Sequence, residues 1–148
     1  MKNRTLAIGS LILFVLIGAT GGGIFYVKMN KPIEQHVPFL LSEIPEEGRI
    51  GMVDQWATLA DSEEVLLAVV KTDGIMEGLG ASSEQEAIVM VRDRTRVDLG
   101  SDGATMRTLA KGIRKEMDML NKLAIAVFDE TKNVYVKRNM PASRTSSQ

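Results

Sequence analysis

The chain carries 148 residues, with 18 lysines and arginines, 19 aspartates and glutamates, and no cysteine. The missing cysteine excludes a disulfide scaffold, a thiolate nucleophile, a lipid-modified cysteine and a cysteine zinc site. With Lys2 and Arg4 set aside, 16 bases face 19 acids, a net of −3, which argues against a nucleic-acid binder and gives the domain as a whole no pull towards an anionic bilayer.

Residues 1–4 form a short basic head, and residues 5–27 form one uncharged apolar segment. Such a length spans roughly 30 Å of hydrocarbon as a helix. The seven large side chains from Leu11 to Ile17 favour insertion by about 2–4 kcal/mol. Tyr26 is placed as an interfacial aromatic, and Lys28 and Lys31 close the span. The rival reading is a cleavable signal peptide, with Gly18, Ala19, Thr20 and Gly21 as its small-residue exit. Apolar residues resume at Ile24, and Ile17 is bulky for the position three before a cut after Ala19. These features favour a retained anchor. Lys2, Arg4 and the terminal amine outnumber Lys28 and Lys31 by one charge, which keeps the amino terminus in the cytoplasm and sends the domain outside. Gly18 and Gly22 are four apart, a spacing that lets two membrane helices pack closely.

Residues 28–48 contain Pro32, Pro38 and Pro45 and read as a stalk, in which Phe39, Leu40 and Leu41 dock on the domain or rest on lipid. The domain then covers residues 49–140. Ile50, Val53, Ala57 and Ala60 predict a helix over 49–60, widened by Met52, Trp56 and Leu59. The apolar run 65–70, ended by Thr72, Asp73 and Gly74, predicts a buried strand, although the acidic start at 61–64 also suits a helix. Residues 75–86, with Gly78, Gly80, Ser82 and Ser83, read as a loop or a poorly formed helix. Residues 87–97 predict a strand that begins apolar and then alternates, with Arg92, Arg94 and Arg96 on one side. A turn at 99–103 leads into a helix over 106–120, with Met106, Leu109, Ala110, Ile113, Met117 and Leu120 on its buried face. Residues 123–128 and 134–136 predict two strands of a hairpin with its loop at 129–133. The polar tail 141–148 has nothing to bury and reads as disordered. The expected fold is α+β, a mostly antiparallel sheet packed on one or two helices behind a single transmembrane helix.

Chemistry is sparse. His36 is the lone histidine, and one histidine with no ligand spacing around it predicts neither metal nor cofactor. The methionines 76, 90, 106, 117 and 119 read as core filler. Gly78 to Ser83 lacks the lysine and spacing of a phosphate loop, and no serine has a histidine base. Arg92, Arg94 and Arg96 form the one stripe that could grip an anion or a partner. The chain is therefore expected to be no enzyme. It reads as a single-pass protein of the inner (cytoplasmic) membrane, its domain outside the cytoplasm binding other proteins or a second copy. Subunits of cell-envelope assemblies share that architecture, an analogy that does not fix function. The alternative is a phage-type lysis or exclusion regulator acting through its membrane helix. An enzyme using the arginine stripe on an anionic substrate is a third reading.

Overall fold

The computed structural model describes residues 26–139. The basic head, the bulk of the apolar segment with Gly18 and Gly22, and the tail lie outside the described residues. Among the described residues no helix is long and apolar enough to cross a membrane.

After a helical turn at residues 26–29, the order is β1 (Pro32–Leu40), α1 (Glu46–Ala60), α2 (Glu63–Lys71), α3 (Ile75–Leu79), α4 (Glu84–Arg94), β2 (Thr95–Leu99), β3 (Thr105–Ile113), a 3-10 turn (Arg114–Glu116) and α5 (Met117–Asn139). The fold is α+β: one three-stranded sheet, wholly antiparallel, in the order β1-β3-β2. Helix α5 packs along β1 and β3, α1 packs on β2 and α5, α2 and α3 close over α5, and α4 packs on α2 and α3. The main core joins Val65, Leu66 and Val69 of α2 with Ile75, Ala87, Val91 and Leu120, Leu123 and Val127 of α5. A second core brings Phe39, Trp56, Phe128 and Tyr135 together, with ring centroids 5.4 to 6.0 Å apart around Trp56.

The expected class holds, but most of its elements sit elsewhere. Residues 32–40, read as stalk, are a strand of the sheet. Ile33, Gln35, Val37 and Phe39 are half-buried in alternation with exposed neighbours, the period-two pattern of a sheet with one covered face. Pro32 and Pro38 are tolerated because an edge strand bonds a neighbour on one side only.

The apolar run 65–70 is helix, not strand. Ser62 caps it by accepting the Val65 N–H, glutamates fill the first turn and Lys71 the last. Val65, Leu66, Val69 and Val70 form its buried face. Residues 75–79 are a short helix, the second of the two readings for that stretch, between two glycines at positive φ. Residues 84–94 are helix as well. Ser83 accepts from Glu86 N–H while the Glu86 carboxylate accepts from Ser82 N–H, a reciprocal cap akin to the capping box. Only residues 95–97 of the expected strand belong to one.

The helix expected over 106–120 is β3 for its first eight residues. Met106, Leu109, Ala110 and Ile113 fit a helical period, but the register sends Met106, Thr108 and Ala110 to the helix-covered face and Leu109 to the other. Leu109 is nevertheless 3% exposed. His36 and Arg96 stand opposite it on the flanking strands. The expected hairpin over 123–136 is the middle of α5. Its buried residues Leu120, Leu123, Ala124, Val127, Thr131 and Val134 run at helical offsets straight through the supposed loop. Thr131 is fully buried there and its hydroxyl donates to the Val127 carbonyl at 2.6 Å. The helix at 49–60 is present, beginning at Glu46.

Candidate functional site

The arginine stripe does not form. Arg92 and Arg94 end α4, whereas Arg96 lies on β2. Thr95 stops the helix, its hydroxyl donating to the Val91 carbonyl, and the chain passes directly into the strand. Each guanidinium then meets its own carboxylate. Arg92 reaches Asp61 at 2.8 Å, Arg94 reaches Glu116 at 3.5 Å, and Arg96 reaches Glu34 at 3.1 Å and Asp98 at 3.6 Å. Arg107 shares Asp98 at 2.9 Å. The uncovered face of the sheet is thus a net of alternating charges over Leu109. The exposed pairs, Arg92 with Asp61 and Arg96 with Glu34, contribute about 0–1 kcal/mol each, so they tune a surface rather than hold the fold.

Arg92 and Arg96, with Asp61, rim a cleft of about 180 Å³ floored by Ala57, Ala60, Val97 and Val127. Sites for organic ligands are typically about 300 Å³ or more. An anion entering here must also displace Asp61 or Glu34. Arg94 stands outside this cleft, so the three predicted residues do not act as one group.

His36 is exposed on the uncovered sheet face. Among the described residues no three of His, Cys, Asp or Glu are grouped to hold a metal. Met106 is buried, and Met76, Met90 and Met119 pack on the main core. Met117 is exposed.

A different surface emerges at the end of the sheet where β1 finishes. Phe39 and Leu41 dock inward, as one of the two sequence readings had it, but Leu40 between them points out and is 70% exposed. Ile50, expected on the buried face of the first helix, is 64% exposed, while Val53, Trp56, Leu59 and Ala60 take the core positions. Arg49 stiffens this end. Its Nε donates to the Ile44 carbonyl and its Nη1 to the Gly103 carbonyl, both at 3.0 Å, tying the β1–α1 loop to the β2–β3 turn. In that turn Gly103 takes φ +65°. The Asp102 carboxylate accepts from the Ala104 and Thr105 amides and from the Thr105 hydroxyl. The Thr105 hydroxyl, then the Ala104 amide, hold the Asp102 carboxyl below its usual pKa. Nothing in the sequence marked Leu40 or Ile50 as outward. Only the strand register and the helix docking decide which apolar side chains of a run are left uncovered.

The chain matches no protein-family model, no curated protein and no solved structure.

Proposed function

We propose that this is a single-pass membrane protein of the cell envelope whose extracytoplasmic domain binds another protein, as a subunit of an envelope assembly. The observation that carries the reading is the pair Leu40 and Ile50, exposed at 70% and 64% at one end of the domain. That end lies opposite the entry of the apolar segment. Strand β1 leaves the segment at Pro32 and ends at Leu40, about 26 Å further on for nine residues of extended chain. The fully buried centre of a protein contact is more apolar than the rest of the surface. Loops held by Arg49 lower the ordering cost of binding there. With the anchor in the bilayer and the first strand starting at once, the domain stands on the membrane and offers its far end outward.

The test uses photo-crosslinkers placed singly at positions 40, 50 and 129 of the full chain in its native membrane. Adducts to one defined protein from 40 and 50, and none from the exposed Asp129 on α5, are expected. Equal yields at all three positions would refute the assignment. Exchanging residues 5–27 for an unrelated membrane helix should leave the adducts intact. Their loss would favour a regulator that works through its membrane helix.

A further inference from the structure

We infer that the opposite end of the domain is a face for anionic phospholipid, on which the domain is seated beside its own anchor. This rests on residues 5–27 being that anchor. Four cations meet there from two distant parts of the sequence. Lys28 and Lys31 follow the apolar segment, and Arg114 and Lys115 follow β3. The sheet register brings them together: Pro32 pairs with Ile113, and the Arg114 N–H donates to the Lys31 carbonyl at 2.9 Å. Lys28, Met29, Lys31 and Arg114 line one shallow hollow, and Tyr26, Val27 and Pro32 line an adjoining apolar one.

The state of Arg114 singles this cluster out. Among the described residues every other arginine is occupied: Arg49 by two carbonyls, and Arg92, Arg94, Arg96, Arg107 and Arg138 by carboxylates. The Arg114 guanidinium has neither kind of partner among them, and no lysine of the cluster has an ion pair there. The acids beside it do not cancel the charge. Glu116 is turned into the domain, accepting the Ile113 N–H and facing Arg94; Glu34, nearby on β1, is held by Arg96, and Asp118 is exposed and follows Arg114 and Lys115 in sequence.

Apolar groups complete the face. Tyr26 and Val27 are each 70% exposed and Met117 is 48% exposed. Aromatic and aliphatic groups beside cations suit the boundary between headgroups and acyl chains. The net charge of −3 over the chain beyond Arg4 hides this arrangement, because the balancing acids lie elsewhere. Arg114 and Lys115 also leave the orientation bias untouched, since that bias is set by residues close in sequence to the span.

The absence of cysteine makes the test direct. The full chain, carrying Met117→Cys or Leu40→Cys labelled with an environment-sensitive fluorophore, is placed in nanodiscs of phosphatidylcholine alone or mixed with phosphatidylglycerol. Position 117 should shift to the blue and resist aqueous quenching only with phosphatidylglycerol. The effect should vanish in about 1 M salt, where the Debye length is about 3 Å. Position 40 should stay exposed throughout. Changing Lys28, Lys31, Arg114 and Lys115 to glutamine should release position 117, each charge weighing about fivefold in the seated-to-free ratio. The four side chains are at the surface, so an unchanged thermal melt shows that the variant still folds. Equal exposure of 117 and 40 in both discs would overturn the proposal, as would shielding that ignores lipid charge and salt. A chain that leaves the discs under alkaline carbonate would instead remove the anchor, a separate result from either.

Discussion

Replacing Lys132 by proline separates the two ways of reading residues 123–136. Lys132 is exposed, so its side chain has little to lose. In a hairpin loop over 129–133 a proline would be tolerated. In α5 it stands mid-helix, at the sixteenth of 23 residues. There it removes the N–H bonded to the Phe128 carbonyl and drives its ring into that carbonyl, at a cost of about 3 kcal/mol or more. Against a total stability of about 5–15 kcal/mol this is a large fraction, and it lowers the folded-to-unfolded ratio more than about a hundredfold. The disturbance falls where it can be seen. Phe128 and Tyr135 flank the single tryptophan, Trp56, which is 2% exposed. Urea unfolding of the full chain in nanodiscs, followed by Trp56 fluorescence, should show a midpoint lower by about 1–3 M for a slope of roughly 1–3 kcal/mol/M. Lys132→Ala should stay within about 0.5 kcal/mol of the parent. A proline variant that unfolds with the parent midpoint would refute the continuous helix.

Ser83→Ala removes the oxygen that caps α4 and should cost about 1 kcal/mol, read as faster amide exchange across residues 84–88 with α5 unchanged. Gly112→Ala places a Cβ 2.9 Å from both methyls of the buried Leu120 and 2.9 Å from a Glu116 oxygen. Overpacking of that kind should lower stability by about 1–3 kcal/mol in thermal melting. The β2–β3 turn should respond to acid. Because the Asp102 carboxyl is held below its usual pKa by Thr105 and Ala104, its contribution is present above the ordinary aspartate range, near about 3.9. It is lost as pH falls through the lower folded value. Amide exchange at residues 104 and 105 should quicken only in that acid window, and Asp102→Ala should be fast at every pH. A wild-type turn insensitive to acid would count against the carboxylate's role.

The candidate sites show how chemistry read along a chain differs from chemistry read in space. Arg92, Arg94 and Arg96 look like a stripe because alternate residues share a strand face. Two of them are helical, and carboxylates from four separate segments, Asp61, Glu34, Asp98 and Glu116, take the three guanidiniums. The exposed basic end was invisible for the converse reason. Its two halves, Lys28 with Lys31 and Arg114 with Lys115, are more than eighty residues apart in sequence and are joined by the β1–β3 pairing.

From the sequence alone come one small α+β domain, an antiparallel sheet, the helix containing Trp56 and the turn at 99–103. These rest on local signals: a helical apolar period, and glycines clustered with short polar residues. The turn at 99–103 shows the limit, since the same short polar residues serve a helix cap and a hairpin turn, and here β3 follows rather than a helix. The short apolar runs 65–70 and 88–91 carry branched residues typical of strands. Helices that pack against neighbours on more than one side read just as continuously apolar, and α2 and α4 are such helices. Conversely 32–40 reads as coil from its prolines, yet an edge position asks for hydrogen bonds on one side only. What only the tertiary structure decided is which partner covers each run, because burial of the whole face outweighs the propensity of its individual residues.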